Sequence, residues 1–260
     1  TTAVKQNLYS VKIAAIRIRM TRISKEAKAS RPAARRKPAR AAAERPAARR
    51  RSATGAAPYH HGDLHDALLG AAERGLEREG LPGLTLRAVA REAGVSHAAP
   101  THHFGDLAGL LSELAAIGFR RFNAALVAAS NSETLPMLKA MARAKAYVAY
   151  AQAWPGMYGL MFRTERLDMS RPSLREAANA SFTDLARGVG AGRNEHIDAD
   201  AMSLEQGGAV ARAWSMVHGF TMLLLDDRLS DLLRRLPKGT TMDQLFEAML
   251  KSPGPRTPPA

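Results

Sequence analysis

From Tyr59 onward the apolar residues of this chain recur at helical spacing, and no segment shows the two-residue alternation of a convincing strand. That restricts the folded part to an all-α architecture. The spacing predicts a first helix over 63–79 with Leu64, Leu68, Ala71, Ala72 and Leu76 on one face, stopped by Gly80 and Pro82. Two short helices follow, one capped by Thr85 and ending at Ala93, the other capped by Ser96 and ending near His103. A long helix is expected over 106–129, then 134–153, with Met137, Met141, Ala144, Val148 and Ala151 as its apolar stripe. Trp154-Pro155-Gly156 breaks the pattern, and helices are expected over 157–166 and 172–189. The Gly-rich residues 190–200 read as a loop. The segment 202–225 is apolar on nearly every face after Ala213, which predicts burial on both sides, and 242–250 forms a last amphipathic helix.

Charge divides the chain differently. Residues 1–58 hold 16 Lys and Arg against Glu26 and Glu44, which equals the whole-chain charge of +14, so the remainder is neutral. Prolines and mutual repulsion make this stretch a disordered basic arm, and Met20 within it is a candidate start of the native chain. The Pro-rich residues 253–260 read as a disordered tail. The chain has no cysteine, which removes disulfides, cysteine-ligated zinc and thiol chemistry. No apolar run reaches the roughly 18 residues of a membrane span, and no signal peptide is apparent, so a cytoplasmic location is expected.

The stretch Thr85 to Phe104, TLRAVAREAGVSHAAPTHHF, carries the functional signal. Two short helices meet at Gly94, with Ala90 and Ala93 small at their approach and Val89 and Val95 filling the space between. This is helix-turn-helix patterning, in which the second helix enters the DNA major groove. Helix N-termini offer free N–H groups to phosphates, and Thr85 and Ser96 stand at such ends. His97 is the best placed to reach a base edge or a phosphate. Ala98 and Ala99 let the helix sit deep, and Thr101 and His102 face backbone or groove.

The segment from about Tyr59 to Phe119 resembles the DNA-binding domain of a TetR-family transcriptional regulator, on Leu86…Val89-Ala90…Ala93-Gly94-Val95-Ser96, on His102-His103-Phe104 and on the Leu-rich helix that follows. Ala213-Trp214-Ser215-Met216-Val217-His218-Gly219 resembles a Trp-x-x-x-His-Gly segment of the C-terminal domain in one TetR subgroup. The resemblance implies a three-helix DNA-binding domain over 59–106 and a helical ligand-binding and dimerisation domain over 107–252. It also implies a homodimer, here through the helices 202–225 and 242–250, that binds a double-stranded operator until a small molecule releases it. Two positions depart from the family pattern. Thr101 stands where Tyr is usual and Leu107 where Lys is usual, and both usual residues contact phosphate. Residues 59–106 carry seven acids against four arginines, so the basic arm is either a supplement to operator binding or a non-specific polyelectrolyte tail.

Phe119, Phe122, Met141, Tyr147, Tyr150, Trp154, Met161, Phe162 and Phe182 lie on helices expected to surround one interior. Such residues form core or line an apolar effector pocket with a few hydroxyls. Trp214 and His218 extend the set. His218 in an apolar helix needs a structural partner or faces that pocket. His60, His61 and His65 match no defined zinc spacing, and no catalytic motif is visible, so neither a metal, a cofactor nor an enzymatic activity is expected. The competing reading is an architectural DNA-binding protein acting through its basic arm.

Overall fold

The computed structural model describes residues 61–252. The basic arm, Tyr59, His60, the side chain of His61 and the tail lie outside the described residues. Every regular element among the described residues is helical. Helix α1 (His61–Gly83) is followed by α2 (Leu86–Ala93), α3 (Ala99–Phe104) and α4 (Leu107–Asn131). Then come α5 (Pro136–Ala153), α6 (Pro155–Met161), a 3₁₀ turn (Thr164–Arg166) and α7 (Pro172–Arg193). Helices α8 (Leu204–Leu225), α9 (Ser230–Arg234) and α10 (Met242–Lys251) complete the chain.

The first two helices form where the patterning puts them. Leu68, Ala71, Ala72 and Leu76 are buried from α1 and cluster with Leu84, Val89 and Phe104. Gly80 takes φ 69° inside α1 and breaks it at the expected residue. A short turn continues through Pro82 to Gly83 before the chain leaves the helix. The Thr85 hydroxyl accepts the Ala88 N–H at 3.1 Å, a side-chain cap worth about 1 kcal/mol. Gly94 closes α2 in the left-handed region, and the Val95 N–H returns to the Ala90 carbonyl at 3.0 Å.

Ser96 is not a cap. A helix capped there would need an N–H at position 100 to bond the Ser96 carbonyl, and residue 100 is proline. The helix starts later, at Ala99, with Pro100 buried in its first turn and no side-chain cap at Ala98. Asp106 does cap α4, its carboxylate accepting the Gly109 N–H at 2.8 Å.

Helix α4 is the spine of the second part and packs most heavily on α5 and α7. Its 25 residues span about 37 Å. From α5, Ala144, Val148 and Ala151 are buried as the stripe predicts, but Met137 is exposed because the first turn of α5 projects beyond its neighbours. Helix α7 runs to Arg193 through residues expected to be loop. Gly190 is buried at the close approach of Ile197, and Asn194 at φ 55° ends the helix. A Ser203–Gln206 capping box starts α8. This helix is buried on one face only, through Val210, Phe220 and Thr221, while Leu204, Trp214, Met222 and Leu223 stand exposed. Helix α10 docks through Phe246, whose ring lies 4.6 Å from that of Phe220. No helix among the described residues is long and apolar enough to cross a membrane.

Candidate operator surface and ring-lined effector site

The residues expected to read DNA sit where a ligand could reach them. Thr85, Ser96, His97, Ala98, Thr101 and His102 are exposed, and Ala99 is half-buried. Ser96 to His102 wraps the start of α3, and Thr85 opens α2. His103 turns inward instead, its ring near those of His65 and Phe104. Leu107, the position where a phosphate-binding lysine is usual, packs against the core. The acids of this region are largely paired. Glu92 meets Arg74 at 3.0 Å and Arg78 at 3.5 Å, and the Arg74 hydrogen bond chiefly holds its carboxyl below the usual range. Glu73 pairs with Arg121 on α4. A cavity of about 230 Å³ lies between α1 and α2, lined by Arg78, Glu79, Arg91 and Glu92 among others. It is smaller than a typical drug-sized pocket.

The expected aromatic interior is largely present. Phe119 and Phe122 of α4 and Tyr147 and Tyr150 of α5 are buried. The Phe122 ring lies edge-on to both tyrosines, at 4.9 and 5.3 Å. Tyr150 donates its hydroxyl hydrogen to the Gly118 carbonyl at 3.1 Å, so its polar end is already occupied. His218 of α8 lies at the centre of the group. Its Nδ1 is 2.8 Å from the hydroxyl oxygens of both Tyr147 and Tyr158, and Tyr158 donates to Tyr147 at 3.2 Å. Phe162 packs 4.8 Å from the His218 ring and 5.0 Å from Tyr158, and Trp214 closes the side at 6.2 Å. Burial pushes the Tyr147 hydroxyl up to about 12 and raises Tyr158 further, while burial lowers His218. All three therefore stay neutral at physiological pH.

Other expected members are less buried. Phe182 is exposed on α7. Met141 is half-buried, and Trp154, also half-buried, packs against the same core as Phe119 and Phe122. Tyr158 was not singled out by the sequence. Its signal was available in retrospect: it precedes Phe162 by four residues on one helical face.

Two further polar residues tie the DNA-binding helices to the bundle. Glu77 of α1 accepts the Met157 N–H at 2.9 Å, and so caps α6 from another helix. Burial raises the Glu77 carboxyl and outweighs its backbone hydrogen bonds from Met157 and Gly156. Arg171, at the start of α7, donates from Nη2 to the Phe104 carbonyl at 2.5 Å.

The family model for bacterial regulatory proteins of the tetR family matches residues 68–114. The model for the tetracyclin repressor-like C-terminal domain matches residues 139–252. Among solved structures, a protein with unknown function from Rhodococcus sp. RHA1 is 34% identical. That match covers 74% of this chain and 94% of the other, with a TM-score of 0.60. The proposed regulatory protein SCO4313 is 23% identical over 73% of this chain and 94% of its own, with a TM-score of 0.54. A proposed tetR-family transcription regulator from Shewanella sp. PV-4 is 18% identical over 72% and 95%, with a TM-score of 0.50. The last two speak to the fold alone. No curated protein matches the chain. With a helix-turn-helix at its start, an all-helical bundle behind it and both halves matched, the chain belongs to the TetR family of transcriptional regulators.

Proposed function

We propose that this chain is a repressor that leaves its operator when an apolar, ring-bearing small molecule binds beside His218. The observation that carries the reading is the wall of Phe119, Phe122, Tyr147, Phe162 and Trp214 around the His218–Tyr147–Tyr158 cluster. It offers ring faces, neutral hydroxyls and one imidazole, which suits an uncharged aromatic ligand better than an ion. Two of its members stand on α4, the helix that follows the recognition helix directly. A ligand that favours one position of α4 therefore shifts the DNA-binding equilibrium, by its difference in affinity for the two states.

Thr85, Ser96, His97, Ala98, Ala99, Thr101 and His102 contact the operator in this reading. The domain division at residue 106 follows from it, with 107–252 as the effector and dimerisation part. A second copy covers the exposed apolar face of α8, with α10 beside it. Dimeric readers engage half-sites roughly 34–36 Å apart, so a shift of a few ångströms in α4 is enough to prevent simultaneous engagement.

DNA selection from a random pool tests the reading, using the full-length chain and a truncation beginning at Ala57. A palindrome shared by both supports it and supplies the operator for an effector screen. Binding by the full-length chain alone, without sequence preference, favours the second reading, a non-specific binder acting through its basic arm. The core-packed Leu107 is the observation on that side.

A further inference from the structure

Helix α3 ends at Phe104, and the Phe104 carbonyl is among the last of that helix, which lack intrahelical donors. Arg171 supplies the donor from 67 residues away. Its seat is built. Gly109 is buried beneath the guanidinium, and a Cβ there would overlap both the Phe104 carbonyl and Arg171 Nη2. Glu113 faces Arg171 Nη1 at 3.7 Å and is itself held by the Ser173 hydroxyl at 2.7 Å. Asp168 faces Nε at 3.5 Å, and its own N–H donates to the buried Ser112 hydroxyl at 2.8 Å. Nε is buried without a hydrogen bond, so the guanidinium is fixed chiefly by the carbonyl and the two carboxylates. Nine residues before Arg171 stands Phe162, wedged between His218, Tyr158, Trp214 and Phe119. The segment 162–171 is thus anchored at one end in the ring-lined site and at the other on the recognition helix.

The geometry points to Arg171 as the positioning residue through which the ring-lined site acts on the recognition helix, with Phe162 as the input. This rests on the reading that the chain binds an operator. Displacing Phe162 pulls on the 3₁₀ turn and withdraws the Arg171 fork from Phe104. The end of α3 then loses its tie to α7, and the angle of the recognition helix is no longer held. No direct contact between Arg171 and DNA is required.

The test uses the full-length chain and the palindrome it selects, as a labelled duplex in fluorescence anisotropy. Arg171→Gln is expected to weaken operator binding about tenfold, and Arg171→Lys, which keeps the charge but not the fork, by only a few-fold. Phe162→Leu is expected to weaken binding about fivefold in the wild-type background but less than about 1.5-fold in the Arg171→Gln background. Multiplicative effects of the two substitutions would overturn the proposal, as would wild-type affinity in Arg171→Gln. Should Arg171→Gln unfold, hydrogen exchange on the Phe162→Leu chain decides. Faster exchange over 104–112 is expected, and exchange unchanged from wild type refutes the link. A wild-type chain that selects no palindrome removes the regulator reading itself, and this proposal with it.

Discussion

Gly109→Ala sets two physical effects against each other, and the structure says which wins. Gly109 lies in the third position of α4 and is buried. Helix propensity alone favours the substitution by about 1 kcal/mol, because glycine loses the most backbone entropy in a helix. The new Cβ overlaps the Phe104 carbonyl and Arg171 Nη2 and lies 2.8 Å from Arg171 Cζ. The carbonyl is backbone at the end of α3 and cannot rotate away. Either α3 and α4 separate, at the roughly 1–3 kcal/mol typical of overpacking, or Arg171 leaves and a charge-assisted hydrogen bond of about 1.5–3 kcal/mol is lost. After subtracting the propensity gain, a net loss of about 0.5–2 kcal/mol is expected. Urea denaturation followed by circular dichroism at one fixed protein concentration measures it, with a midpoint falling by roughly 0.2–1 M. Gly192→Ala is the matched control. It lies in α7 with no heavy atom near its would-be Cβ, and there the propensity gain of roughly 0.5–1 kcal/mol should appear unopposed. A Gly109→Ala protein as stable as wild type would mean that the Arg171 seat is loose, and the coupling argued for it would lose its basis.

The remaining expectations address the site, the interface and the joint between α1 and α6. His218 is held below its ordinary range by burial, so the unfolded chain takes up its proton first. Its stabilising contribution is complete above about pH 6.5 and falls as the pH drops below that value. The wild type should therefore lose more stability between pH 7.5 and 5.5 than His218→Phe, and equal losses would contradict the burial. Placing Glu at Met222 and Leu223, both exposed on α8, should leave the chain folded but monomeric in sedimentation; a dimer that persists means another face is used. Glu77→Ala removes the acceptor of the Met157 N–H and should cost about 1 kcal/mol, as for an N-cap. Glu77→Gln, which keeps an acceptor, should lose less than half of that, and thermal melts of the two variants decide.

Much of the fold was legible because it depends on local rules. The apolar face of α1, the Thr85 cap, the Gly94 turn and the stripe of Ala144, Val148 and Ala151 each involve residues within one or two helical turns. The failures have local reasons as well. Ser96 has the side chain of a cap, but Pro100, four residues on, has no N–H to close the first turn. The glycines of 190–192 looked like a loop, although Gly190 is there to admit Ile197 beside the helix. The all-round apolar character of α8 predicted burial on two sides. The chain alone covers one, and Leu204, Met222 and Leu223 stand exposed on the other.

The site was legible only in part, and the division is physical. Phe119, Phe122, Tyr147 and His218 could be chosen because bulky or titratable residues on apolar faces announce themselves singly. Tyr158, Glu77 and Arg171 could not, since what each does is set by the residue across from it: the His218 ring, the amide of Met157, the carbonyl of Phe104. An arginine beside a proline at a helix start reads as solvated surface until the partner is known. Of these three, Glu77 and Arg171 both join the N-terminal helices to the bundle, and Arg171 is the one that reaches the end of α3. Its contact is to backbone, so the identity of residue 104 is not what holds it. What it needs is the absence of a side chain at 109 and a segment 162–171 of the right length. On the proposed reading, a homologous chain could change the rest of its ring-lined wall, and with it the effector, while the relay survives as long as Phe162, the glycine, the arginine and the spacing between Phe162 and Arg171 are kept.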